Sequence, residues 1–186
     1  MDIQVKKRKL KVLSFDIENR PLSYWYDGNC TAEVTAIAAG WHHSNKVYCW
    51  ALGEDDPLTM MEEFLDLYDD ADIVTGHYIR KHDLPILNGA AMEMGLIPLK
   101  PKLTVDTRLD LTRVGGLAAS QEALSAMLEL DNPKHHMTQS AWRQANRLEP
   151  EGVSLTKKRV ISDVLQHKEL YGALAPYLKR PKVWRP

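Results

Sequence analysis

Lys9-Leu10-Lys11-Val12-Leu13-Ser14-Phe15-Asp16-Ile17-Glu18-Asn19-Arg20-Pro21 is the stretch on which the fold turns. Leu10 and Val12 share one parity, and Leu13, Phe15 and Ile17 the other. Apolar residues on both parities predict a strand buried inside a sheet, with helices on both sides. Asp16 and Glu18 close the run. Residues two apart in a strand face the same way, so the two carboxylates lie side by side. Such a pair is costly in a low-dielectric site and repels itself unless a cation intervenes. A divalent metal on oxygen ligands answers that cost. A frayed strand end with its acids in water is the alternative.

Working outward, strands are predicted over Thr35–Trp41 and Lys46–Leu52, joined as an antiparallel hairpin through His42–Asn45. Pro57 opens a helix on which Met60, Met61, Phe64, Leu65, Leu67 and Tyr68 recur at helical spacing. Ala71–His77 reads as a short buried parallel strand. Asp83 begins a second helix, with Pro85 in its first turn and Gly95 at its end. Leu103–Asp106 is the fifth strand. Gln121–Leu130, with Ser120 as N-cap, and Thr138–Arg147 are helical. A long helix starts near Lys157–Val160 and runs to Pro176, and the tail after Lys179 is extended or loosely docked. The order predicts one α/β domain spanning residues 1–186. Its mixed five-stranded sheet has the first three strands antiparallel and is flanked by helices.

Hydrophobic content of 44% and charged content of 26% are those of a globular protein with a full core. No run of 18 apolar residues exists, so no membrane span or membrane partner is expected. Two cysteines, Cys30 and Cys49, form no disulfide framework, and a reducing, cytoplasmic compartment is expected. The net charge is −1, but Lys and Arg crowd residues 6–11, 157–159 and 179–185, and none occurs between Ala51 and Asp72. That polarity suits a side facing nucleic acid, although charge runs are more often solvated faces. Tyr24, Trp25 and Tyr26 lie in a loop beside the carboxylates, where they could stack on bases or cap the core.

The element order and the acids together resemble the DnaQ-like 3′–5′ exonucleases of the ribonuclease H-like fold, which carry four acidic metal ligands on three motifs. Asp16-Ile17-Glu18 is the first. Gly76-His77-Tyr78-Ile79-Arg80-Lys81-His82-Asp83-Leu84-Pro85 is similar to the second motif in proofreading domains of family B DNA polymerases. Ser162-Asp163-Val164-Leu165-Gln166-His167-Lys168-Glu169-Leu170-Tyr171 resembles the third. Val105-Asp106-Thr107 and residues 119–130 also match in position. The likeness runs from about Lys9 to Pro176. A stand-alone domain of this kind is what some phages encode, which would place it in a bacterial host cytoplasm.

The resemblance implies phosphodiester hydrolysis at single-stranded DNA or RNA 3′ ends, with two divalent cations, Mg²⁺ or Mn²⁺, held by Asp16, Glu18, Asp83 and Asp163. Asp16 would bridge both ions, Glu18 and Asp163 would hold the water-activating ion, and Asp83 the other. Replication or repair proteins would be further partners. In three places this chain departs from the pattern. Tyr78 stands where Asn is usual, and His82 where an apolar residue is usual. Arg159 and Lys158 stand where the third motif has Tyr or His to handle the attacking water. A guanidinium stays protonated and is no base, but Arg159 could grip the scissile phosphate. His167, one turn after Asp163, and His82 are candidates to replace the missing group. Tyr78, Trp25 and Tyr26 are candidates for base stacking, and Arg80, Lys81, Lys158 and Arg159 for phosphate contact. Two rivals stand beside this reading, the first of them made serious by Arg159. One is a catalytically weak or inactive relative that binds nucleic acid or a replication protein, and the other a structure-selective endonuclease.

Overall fold

The computed structural model describes residues 9–23, 30–111 and 114–186. Its elements are β1 (Val12–Ser23), β2 (Cys30–Trp41), β3 (Val47–Ala51), α1 (Pro57–Asp70), β4 (Ile73–Gly76), α2 (Asp83–Glu93), β5 (Lys102–Asp106), α3 (Gln121–Met127), α4 (Gln139–Asn146), α5 (Pro150–Leu174), a 3₁₀ turn (Ala175–Tyr177) and β6 (Lys182–Trp184). The sheet order is β3-β2-β1-β4-β5-β6. β1, β2 and β3 pair antiparallel, β1, β4 and β5 pair parallel, and β6 is antiparallel to β5.

Among the described residues the sheet therefore has six strands, not five. The sixth lies in the tail, where Lys182 and Trp184 register against Thr104 and Lys102. Three residues among prolines and basic side chains carry no alternation to read. The pairing exists because β5 would otherwise present an unpaired edge. The long helix also starts earlier than its apolar spacing suggests. Pro150 and Gly152 look like breakers, but Pro150 occupies the first helical turn, where its missing N–H costs nothing. Gly152 lies where α5 crosses α4, and a Cβ there would run into the backbone of Gln144 and Ala145.

The two parities of β1 meet different partners. Leu13, Phe15 and Ile17 are buried with Met60, Met61, Phe64 and Tyr68 of α1 and Leu84 and Leu87 of α2. Leu10, expected to be buried, precedes the strand and is exposed. The opposite face receives α5. Ser14, Asp16 and Glu18 stand across from Gly40, Ala38 and Ala36 of β2. Ala36 and Ala38 pack against Val160 and Val164 of α5, and Gly40 leaves room for Val164. Small residues on β2 thus let the helix lie close to the strand, which sets the carboxylates of β1 beside α5.

Gly76 ends β4 under similar pressure. A Cβ there would overlap Ile79 and come within 2.9 Å of the Phe15 carbonyl. Gly76→Ala is expected to cost about 1–3 kcal/mol, read as a lower denaturation midpoint with an unchanged slope.

Candidate metal centre

Asp16 and Glu18 reach the site from the middle of β1, which does not close at them as expected but pairs on with β2 to Ser23 after a register shift between Glu18 and Asn19. Such a bulge re-aims the strand beside a site. Asp163 comes from the middle of α5. An oxygen from each of Asp16, Glu18 and Asp163 lies within 4.8 Å of the others. Asp83, at the first turn of α2, is outside that set of three but close enough for its charge to bear on Asp16. The four acids, remote in sequence, thus converge.

Their protonation shows the strain of that arrangement. Burial pushes the Asp16 carboxyl well up, and the charges of Asp83, Asp163 and Glu18 add to it. Burial pushes Asp83 up to about 7, against hydrogen bonds from its own N–H and that of Ile17. Glu18 and Asp163 are also raised by burial, although Arg159 pulls the first down and Lys134 and Arg159 the second. Among the described residues, Asp83 Oδ1 and Asp163 Oδ1 are buried with no hydrogen-bond partner. Buried carboxylate oxygens whose lone pairs accept no hydrogen bond are what a hard divalent cation coordinates, so the donor set fits such an ion.

Two protein cations enter the same space. Arg159 Nε lies 2.5 Å from Glu18 Oε1 and 3.9 Å from Asp163 Oδ2. Its Nη1 donates to the His135 carbonyl at 3.2 Å, and its guanidinium lies over the Trp142 ring, 5.2 Å from the centroid. Lys134 Nζ is 3.3 Å from Asp163 Oδ2. Lys134 escaped sequence reasoning because it sits in a polar loop with no periodicity. The loop is clamped to α5: Gln166 donates to the Asn132 carbonyl, and the His135 N–H donates to Ser162 Oγ.

The other predicted residues fall elsewhere. His167 is buried and hydrogen-bonded through Nδ1 to Ser14 Oγ at 3.1 Å, and the same hydroxyl meets His42 Nε2 at 2.7 Å. Burial, with His42 and His77 nearby, holds the His167 imidazole well below its usual basicity. It therefore binds the layer beneath the acids and has no hydrogen bond to any of them. His82 Nε2 meets Asn19 Oδ1 at 3.1 Å. Arg80 is turned inward, donating to both oxygens of Asp110 at 2.8 and 2.7 Å, so its charge is spent on a carboxylate rather than offered to a phosphate. Tyr78 adopts a left-handed backbone with φ 74° and lies under the Arg108 guanidinium. Lys81 and Lys158 are exposed. Trp25 and Tyr26 lie outside the described residues.

Asp106 and Asp110 are further buried acids with a positional part. Asp106 accepts from the N–H groups of Tyr78, Arg80, Arg108 and Leu109. It thereby fixes the turn that delivers Asp83. The match of Val105-Asp106-Thr107 to the family pattern was the available signal for Asp106.

The fold and this acidic cluster define the chain as a mixed α/β domain with helices on both sides of its sheet and a buried group of carboxylates at its centre. Part of the family B DNA polymerase from the hyperthermophilic archaeon Pyrobaculum calidifontis superposes with a TM-score of 0.70 at 18% identity, covering 91% of this chain and 25% of the polymerase. The chain thus spans about a quarter of that polymerase's length. No protein-family model and no curated protein matches the chain. Among the described residues, no helix is long and apolar enough to cross a membrane.

Proposed function

We propose that the chain is a divalent-cation-dependent 3′–5′ exonuclease of the ribonuclease H-like, DnaQ-like kind, acting on single-stranded DNA or RNA ends with Mg²⁺ or Mn²⁺. One observation carries the reading: oxygens of Asp16, Glu18 and Asp163 lie within 4.8 Å of one another, and beside them, among the described residues, Asp83 Oδ1 and Asp163 Oδ1 are buried with no hydrogen-bond partner. A bound divalent cation would supply a water of lowered pKa and stabilise the leaving 3′ oxygen. Asp16, Asp83 and Asp163 would hold it. Glu18 orients Arg159, whose guanidinium is placed to meet the scissile phosphate. Neither Arg159 nor His167 takes the role of base, the first because it stays charged, the second because it is buried, bound through Nδ1 to Ser14 and hydrogen-bonded to none of the acids.

The second reading, a weak or inactive nucleic-acid-binding module, draws on the same ion pair between Arg159 and Glu18. Incubating 5′-labelled single strands with the protein and Mn²⁺ separates the two. Stepwise shortening that EDTA stops, and that Asp16→Ala lacks, supports the exonuclease. Salt-sensitive binding without shortening supports the module. Internal cuts on circular strands indicate an endonuclease.

A further inference from the structure

Arg159 is a built part of the acid cluster rather than a surface arginine resting on it. Its side chain is 18% exposed and Glu18 is 15% exposed. The guanidinium is fixed from several sides: by Glu18, by the His135 carbonyl, by the Trp142 ring and by the more distant Asp163. The His135 carbonyl is itself held in place through the His135 N–H and Ser162. Moving Arg159 aside would break these contacts together and leave Glu18 without its hydrogen-bonded cation, a costly state for a mostly buried carboxylate. Lys134, on the clamped loop, adds a second positive charge at Asp163.

The charges then decide how much more the site can hold. Four carboxylates against one guanidinium and one ammonium leave two negative charges, which one divalent cation neutralises. A second would leave the buried cluster net positive, with Arg159 and an ion both competing for Glu18. Within the four acids, the buried oxygens without partners belong to Asp83 and Asp163, not to Glu18.

This inference rests on reading the cluster as a divalent-cation centre. We propose that the Arg159 guanidinium takes the place of one of the two ions expected from the motif, so that the centre loads a single divalent cation on Asp16, Asp83 and Asp163. Arg159 is then a fixed phosphate-facing charge, and Lys134 a companion that holds Asp163 in place.

Titration calorimetry with Mn²⁺ tests this without any substrate. The wild type is expected to bind one Mn²⁺ per chain. Arg159→Gln, which frees Glu18 and removes a charge, is expected to bind two. Lys134→Gln, which leaves Arg159 on Glu18, is expected to bind one. Circular dichroism checks that each variant is folded, and should Arg159→Gln not fold, the wild-type stoichiometry alone decides. Two ions in the wild type, or one in both the wild type and folded Arg159→Gln, overturn the proposal while leaving the exonuclease reading intact. No Mn²⁺ in either overturns both.

Discussion

Asp83→Asn is expected to lower the proposed metal-dependent cleavage by about a hundredfold to a thousandfold and, in the same protein, to raise stability when no metal is present. The two effects share one cause. Asp83 is 2% exposed, and burial pushes its carboxyl up to about 7. An ordinary aspartate in the unfolded chain titrates near 3.8. Between about pH 4 and 7 the folded state therefore binds the extra proton, and metal-free stability falls as pH rises through that window, levelling above it. Asparagine keeps a carbonyl oxygen for the Ile17 N–H but carries no charge to desolvate. At pH 8 in EDTA the variant should be more stable by an amount on the order of 2 kcal/mol, with the difference vanishing towards pH 4.

The difference between the two proteins is the quantity to follow, because buried histidines titrate with the opposite sign. Burial, with Lys168 and His43, lowers His42 to about 4, and burial lowers His77 to about 4 as well. Both favour folding as pH rises towards 6.5. Activity should move the other way. Losing one carboxylate of a metal centre removes several kcal/mol of transition-state stabilisation, a drop of about a hundredfold to a thousandfold in rate. Thermal melts across pH in EDTA, beside labelled-strand assays in Mn²⁺, check both. A variant that is less stable at pH 8 and equally active would show that Asp83 is an ordinary packing residue.

Arg80→Ala carries the largest expected loss of stability. Arg80 is 11% exposed at its side chain and Asp110 is fully buried. Burial works against the charge of Asp110, but the Arg80 hydrogen bonds and the Asp106 N–H outweigh it and hold its carboxyl below the usual range. Removing the guanidinium leaves Asp110 with Lys182, 3.3 Å away and half exposed, and the Asp106 N–H. Breaking a buried pair by removing one partner costs about 3–5 kcal/mol. At this chain length that is a fall of roughly 6–20 °C in Tm. Arg80→Lys should recover little, since the fork of two parallel hydrogen bonds needs a planar guanidinium. The backbone N–H of residue 80 remains in this variant to bind Asp106, so the turn before Asp83 keeps that anchor and Mn²⁺ affinity should fall less than stability. A melting temperature unchanged by Arg80→Ala would mean that Lys182 alone satisfies Asp110.

Much of this architecture is written in local patterns. The two parities of β1, the spacing of Met60, Met61, Phe64 and Tyr68, and the caps Asp56, Ser120 and Thr138 all act within a few residues of themselves. The helices α1 and α3 lie where their periodicity places them, but β1 runs on past Glu18 to Ser23 and β2 begins at Cys30 rather than Thr35, because the two strands pair along a polar stretch with no alternation to read. β6 and the first turns of α5 lacked such a pattern, because what forms them is remote: an open strand edge for Lys182–Trp184, and the helix crossing that demands Gly152.

The sequence by itself determined most of the element order and the buried strand, and it singled out Asp16, Glu18, Asp83 and Asp163 as candidates, since a carboxylate in a buried frame is costly wherever the chain goes. Only the tertiary structure decided what surrounds those acids. Arg159 and Lys134 reach them from a helix and from a loop clamped to it, while Arg80 turns away to Asp110 and His167 to Ser14. The reason is physical. The spacing of side chains along one helix or strand is fixed by backbone geometry, whereas the partner of a charge is fixed by which elements the packing of the sheet brings within a few ångströms.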